Sequence, residues 1–126
     1  MVMTRKILIT GAFGKVGRIL LDRDEDPARR YVLLDEAPDD TFAHRDDIDV
    51  VSGSIADASL VERCMSGVTD VVHLAGISVE DTWERIAAIN ITGTELVLEA
   101  AARHGVRRVI LASSNHAAGM YRPSDR

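Results

Sequence analysis

The sequence predicts an α/β fold, a doubly wound parallel sheet with helices on both faces. Three observations point there. Five short apolar runs alternate with amphipathic stretches, the pattern of parallel strands joined by helical crossovers. The first strand-to-helix junction carries three regularly spaced glycines, Gly11, Gly14 and Gly17. The polar motifs fall where the apolar runs end, on the edge where open α/β sheets place their ligand crevice.

The elements follow in order. Residues 6–10 form the first strand. The first helix, 14–22, is closed by the charged, proline-ended stretch 23–27. Residues 31–35 are the second strand. The stretch 37–47, with Pro38 and several aspartates, is a loop with room for one helical turn. The third strand is 49–52. A helix over 57–65 takes Asp57 as its N-cap and stops at Ser66-Gly67. The fourth strand is 70–74. The longest helix runs over 81–104, with Ile86, Ile89, Leu96, Val97, Ala100 and Ala101 at helical spacing and Gly105 just past its end. Trp83 is expected to pack near its start. The fifth strand is 107–113. Right-handed crossovers and a nucleotide site at the first turn give strand order 3-2-1-4-5, a Rossmann-type sheet. Residues 1–126 read as one domain.

Composition narrows the function. The 126 residues carry a net charge of −5, and no basic run exceeds two residues, so nucleic acid is not an expected partner. No apolar run approaches membrane-spanning length. The first six residues lead straight into a strand, leaving no room for a signal peptide. Cys64 is the one cysteine. Its helical neighbours Leu60, Val61 and Met65 mark it as a packed thiol. The four histidines are scattered without ligand spacing, so no metal site is expected. A cytoplasmic protein fits these features.

The glycine loop carries the chemistry. Gly11 turns the chain off the strand. Gly14 lets backbone approach a pyrophosphate, and Gly17 lets the helix pack close to the sheet. The loop through Phe13, Lys15 and Val16 then presents the unpaired N–H groups of a helix N-terminus to the phosphates. Asp35 ends the second strand about 20 residues beyond the loop, where a carboxylate accepts from the adenosine ribose hydroxyls. It would repel a 2′-phosphate. Glu36 follows and the next arginine is Arg45, so NAD is the expected cofactor over NADP. The alternative for Asp35 is a solvated strand end.

These segments together resemble the extended short-chain dehydrogenase/reductase superfamily, in its NAD-dependent epimerase/dehydratase group. Residues 10–17 resemble its cofactor loop. His73-Leu74-Ala75-Gly76 resembles the strand-4 element that lines the dinucleotide. Asn90-Ile91-Thr92-Gly93-Thr94 with Leu98-Glu99-Ala100-Ala101 resembles its helix motif. More narrowly, residues 73–80 and Ala112-Ser113-Ser114-Asn115-His116 are similar to uronate dehydrogenases. The resemblance implies oxidation of a hexuronate, glucuronate or galacturonate, at C1 to an aldarolactone with NAD. It places Ser114 as the serine that hydrogen-bonds the reacting hydroxyl. Ser78, Asn115 and His116 fall at substrate-contacting positions. Leu74, Ala75, Gly76, Asn90 and Ser113 fall on the cofactor side. His73, inside an apolar strand, reads as a satisfied core histidine. A nucleotide-sugar epimerase or dehydratase, and a non-catalytic NAD-binding module, stay open as alternatives.

Two departures from the family pattern stand out. The third strand is followed by Gly53-Ser54-Ile55, with Ser54 where the family places an aspartate for the adenine amino group. A serine accepts there without charge assistance, and Ile55 still offers its backbone. There is also no Tyr-x-x-x-Lys, the family's catalytic pair; the lysines are Lys6 and Lys15. The chain reads as the first half of such an enzyme, inactive in isolation. In the family the long helix serves dimerisation, so a homo-oligomer through 81–104 is expected.

Overall fold

In the computed structural model, which describes residues 4–114, β1 (Arg5–Thr10) lies at the centre of a five-stranded sheet. The order is β3-β2-β1-β4-β5, with every adjacent pair parallel. β2 is Arg29–Asp35, β3 Ile48–Ser52, β4 Asp70–His73 and β5 Arg108–Leu111. The expected strand order is the order found.

Strand alternation sends side chains to two cores. Leu8, Val32, Leu34 and Val71 meet α2 (Ala58–Cys64) and α4 (Thr94–Arg103) through Val61, Val97 and Ala101. Ile9, Tyr31 and Leu33 meet α1 (Lys15–Arg23) through Leu21, with Phe13 and Phe42 completing that layer. Each such fully buried leucine contributes about 1.5–3 kcal/mol. Cys64 is buried in the first core, which pushes its thiol pKa up.

The local stop and start signals act as expected. Asp57 caps α2, its Oδ1 accepting from the Leu60 N–H at 3.1 Å. Gly105, at φ +67°, turns the chain out of α4.

The 81–104 segment departs from a continuous α-helix. It opens at α3 (Trp83–Ile86), capped by Thr82, widens to a π-helical segment over Ala87–Gly93, and returns to α-helix at Thr94. A side chain competes for a helix carbonyl where the segment ends. Thr94 Oγ1 donates to the Asn90 carbonyl at 2.8 Å, which disturbs the regular ladder there. Gly93 sits against Ile55, whose side chain occupies the place of a Cβ, 2.7 Å away. Trp83 does not pack at the helix start: it is 68% exposed. The fifth strand ends at Leu111 rather than 113, and it is a largely exposed edge strand.

Candidate functional site

A cleft of about 530 Å³ opens over the carboxyl ends of the central strands. Its floor is the glycine loop. Gly11 has φ +65°, and a Cβ there would lie 2.7 Å from the Ala75 nitrogen. Gly17 is more constrained still: a Cβ would sit 2.1 Å from the Ala12 carbonyl oxygen. The glycine therefore makes room for the loop's own backbone, not only for the sheet. Gly14, Lys15, Val16 and Gly17 bring the start of α1 into the cleft wall; the Gly14 N–H is taken by the Gly11 carbonyl at 3.1 Å, and the first-turn N–H groups that follow it suit a pyrophosphate.

Asp35 forms the rim at one end. Its Oδ2 accepts from the Phe13 N–H and its Oδ1 from the Ala37 N–H, both at 2.9 Å. These charge-assisted bonds fix the carboxylate and leave lone pairs for a vicinal diol. Glu36 lies beside it in the same wall.

The opposite wall is held from behind by a buried chain of hydrogen bonds. Thr10 and His73 are paired in the β1–β4 register, so their side chains share a face. Thr94 uses its hydroxyl proton on the Asn90 carbonyl. It therefore accepts from the His73 Nε2–H at 3.1 Å. Nδ1 is left as acceptor for the Thr10 hydroxyl at 2.7 Å, and Thr10 in turn accepts from the Ala75 N–H at 3.2 Å. The chain fixes a neutral imidazole with its proton on Nε2. Burial pushes the pKa of His73 down, in the same direction. The Asn90 side chain extends the line: Oδ1 accepts from the Ile77 N–H at 2.7 Å and Nδ2 donates to the Ile77 carbonyl at 3.0 Å. Ile77, in the loop after β4, is thus anchored to the widened helix at both its N–H and its carbonyl.

The donor set fits a dinucleotide. The glycine cradle would be filled by any Cβ, the helix start faces the cleft, a fixed carboxylate stands at the ribose distance along the chain, and Ile55, Leu74 and Ala75 give apolar walls.

The family model for the NAD dependent epimerase/dehydratase family matches residues 7–126. The chain belongs to that family. Among similar proteins is the uronate dehydrogenase of Pseudomonas putida, 38% identical over 121 residues, 96% of this chain and 45% of the relative. The NAD-dependent glucose-6-phosphate dehydrogenase of Haloferax volcanii is 38% identical over 128 residues, 98% of this chain and 48% of the relative. A crystal structure of a mutant uronate dehydrogenase from Agrobacterium tumefaciens complexed with NAD superposes with TM-score 0.84 at 38% identity. It is covered to 44% of its length by 94% of this chain. The chain spans less than half the length of these relatives.

Of the residues expected at the cofactor, Gly11, Phe13, Gly14, Lys15, Val16, Gly17, Asp35, Ile55, Leu74, Ala75 and Gly76 all line the cleft, as does Ser78, expected at the substrate. Four expected residues stand apart. Ser54 turns its hydroxyl to the Ala56 N–H at 3.1 Å. Asn90 lies behind the wall, with both ends of its amide on Ile77, so it positions a loop instead of lining the cleft. Ser113 and Ser114 are exposed just beyond Ala112, which does line it. Asn115 and His116 lie outside the described residues. Sequence reasoning passed over Glu36, Ala37, Gly53 and Ile77 as wall residues. Each adjoins a motif residue, and adjacency was the signal available. Ile89 read as a core position and is both core and wall. Among the described residues no cluster is arranged to hold a metal ion, and no helix is long and apolar enough to cross a membrane.

Proposed function

We propose that this chain is the NAD-binding portion of an oxidoreductase that converts a hexuronate, glucuronate or galacturonate, to its aldarolactone. Residues 1–126 form one dinucleotide-binding domain in this reading. The observation that carries it is a single cleft lined by the glycine loop and Asp35 together with Ala75, Gly76 and Ser78. The similarity to uronate dehydrogenases supports the substrate class.

NAD, when bound, supplies the hydride acceptor for C1. The chain's own residues bind and orient. The N–H groups at the start of α1 and the Lys15 ammonium neutralise the pyrophosphate. Asp35 accepts from the adenosine ribose hydroxyls. Ser54 and Ile55 meet the adenine, and Leu74, Ala75, Gly76 and Ser113 border the dinucleotide. Asn90 keeps the Ile77 peptide in place and thereby the Ser78 loop. Ser78, Asn115 and His116 read the sugar's hydroxyls and carboxylate, and Ser114 hydrogen-bonds the reacting hydroxyl. The sequence holds no Tyr-x-x-x-Lys to take the hydroxyl proton, and a general base must lie within hydrogen-bond reach. The 126-residue chain therefore binds NAD and does not turn uronate over. Exposed Trp83, Ile91 and Leu98 on the 81–104 segment support self-association there, in a cytoplasmic protein.

The test is an NADH fluorescence titration of the chain, with glucuronate and galacturonate added in a parallel assay for NAD reduction. Binding without reduction is expected. No binding sinks the NAD assignment, and uronate-dependent reduction by the chain alone sinks the assignment of inactivity. A second reading, an aldose phosphate as substrate, is favoured by the equal identity to the Haloferax volcanii relative. Product analysis of a complete enzyme carrying this chain separates the two.

A further inference from the structure

Arg18 follows the glycine loop directly, and each of its three guanidinium nitrogens donates a hydrogen bond. Nε donates to the Phe13 carbonyl at 2.7 Å, Nη1 to Thr41 Oγ1 at 2.9 Å, and Nη2 to Asp39 Oδ2. The guanidinium also lies over the Phe13 ring, 5.4 Å from its centroid. That ring leans on buried Phe42. The Phe13 N–H is the donor that fixes Asp35. One residue, Phe13, thus carries Asp35 on its N–H and Arg18 on its carbonyl. Asp39 is itself aimed: its Oδ1 accepts from the Thr41 N–H at 3.0 Å and from the Thr41 hydroxyl.

An arginine beside the ribose is what accommodates a 2′-phosphate in NADP-binding sheets, because its planar fork matches phosphate oxygens. Here the arginine is present but already holds an anion. A 2′-phosphate would have to displace Asp39 from a pre-aimed pairing while facing Asp35 and Glu36 across the rim. Exchanging one anion for another on Arg18 leaves little to set against that repulsion.

We propose that Asp39 is a specificity-determining residue, which excludes NADP by holding Arg18 away from the adenosine 2′ position, so that the choice of NAD is made by Asp35 and Asp39 together. The inference rests on the NAD reading above. Arg18 holds the Asp39 carboxyl far below the usual carboxylate range, so the pairing persists at every pH near neutrality. Asp39 is surface-exposed, and the loop that bears it is anchored by buried Phe42, so its replacement leaves the fold intact.

The experiment compares NADH and NADPH binding by fluorescence titration in the wild-type chain, Asp35→Ser, Asp39→Asn, the double variant, and the double variant with Arg18→Ala. Asp35→Asn, closer in shape, takes the place of Asp35→Ser should that variant not fold. The expected result is a gain in NADPH affinity in the double variant about tenfold beyond the product of the single effects, the coupling typical of residues sharing one network. Arg18→Ala should erase that gain. Multiplicative single effects, or a gain that survives Arg18→Ala, overturn the role of Asp39 while leaving the NAD reading intact. A wild-type chain that binds neither nucleotide overturns both.

Discussion

The two walls of the cleft are built in opposite ways. The β1–β2 wall is charged and closed by bonds from ionised side chains: Asp35 on Phe13 and Ala37, Arg18 on Phe13, Thr41 and Asp39. The β4 wall is neutral and held from within, through Thr10, His73, Thr94 and Asn90. Beyond it, β5 is open, with Ile110 and Leu111 about half exposed. The contrast separates two tasks. In the proposed reading, the chain grips the adenosine half of the dinucleotide with its own groups. The reacting half depends on residues held less completely by this chain.

The largest effect expected is at Gly17. A valine there would drive its Cβ to within 2.1 Å of the Ala12 carbonyl, and overpacking of this kind costs about 1–3 kcal/mol. NADH titration should show no binding, and thermal unfolding a clear fall in midpoint; unchanged affinity would break the contrast outright. Next comes Asp35→Ala, which strips acceptors from two backbone N–H groups at about 1–3 kcal/mol and should weaken NADH binding at least tenfold. Ser114→Ala, on the open side, should leave NADH affinity within about twofold, the range of ordinary surface changes. Equal losses at both positions would contradict the division of tasks.

His73 gives a smaller, pH-dependent effect. Burial lowers its pKa in the native state, so the unfolded chain binds the proton more readily. Its contribution is complete above the unfolded value of about 6.5 and is lost as pH falls through the native value. Unfolding midpoints measured across that window should decline with falling pH in the wild type and lose this component in His73→Asn. A modest gain is expected for Ser54→Asp, which adds charge assistance at the adenine and should tighten NAD by about 1 kcal/mol. Calorimetry showing no tightening would remove Ser54 from the adenine site.

Much of this was legible because it is local. The spacing of the glycine triplet, the Asp57 cap and the Gly105 stop are signals written within a turn or two of chain, and Asp35 is marked by its place at a strand end. The strand order followed from handedness. The π segment was not legible: it goes with a side chain taking a backbone carbonyl, Thr94 on Asn90, and with the contact of Gly93 and Ile55, 38 positions apart (93 − 55). Apolar spacing cannot register a carbonyl taken by a side chain. For the same reason Asn90 read as a cleft residue while the fold turns it onto Ile77. The Arg18 lock was equally hidden: it joins a helix residue to a loop whose composition signalled only a turn.

The placement of β1 at the sheet's centre sets an order of assembly. Its partner β2 is made soon after it, whereas contacts of the Thr10–His73 kind wait for a residue 63 positions later. During synthesis the chain emerges N-terminus first, and short loops close at lower entropic cost. The adenosine wall is thus expected to form before the wall that faces it exists. Pulse-labelled hydrogen exchange should find β2 amides protected ahead of those of β4. Until β4 arrives, β1 presents an open edge along one side, and the glycine loop lacks the Ala75 backbone against which Gly11 is fitted.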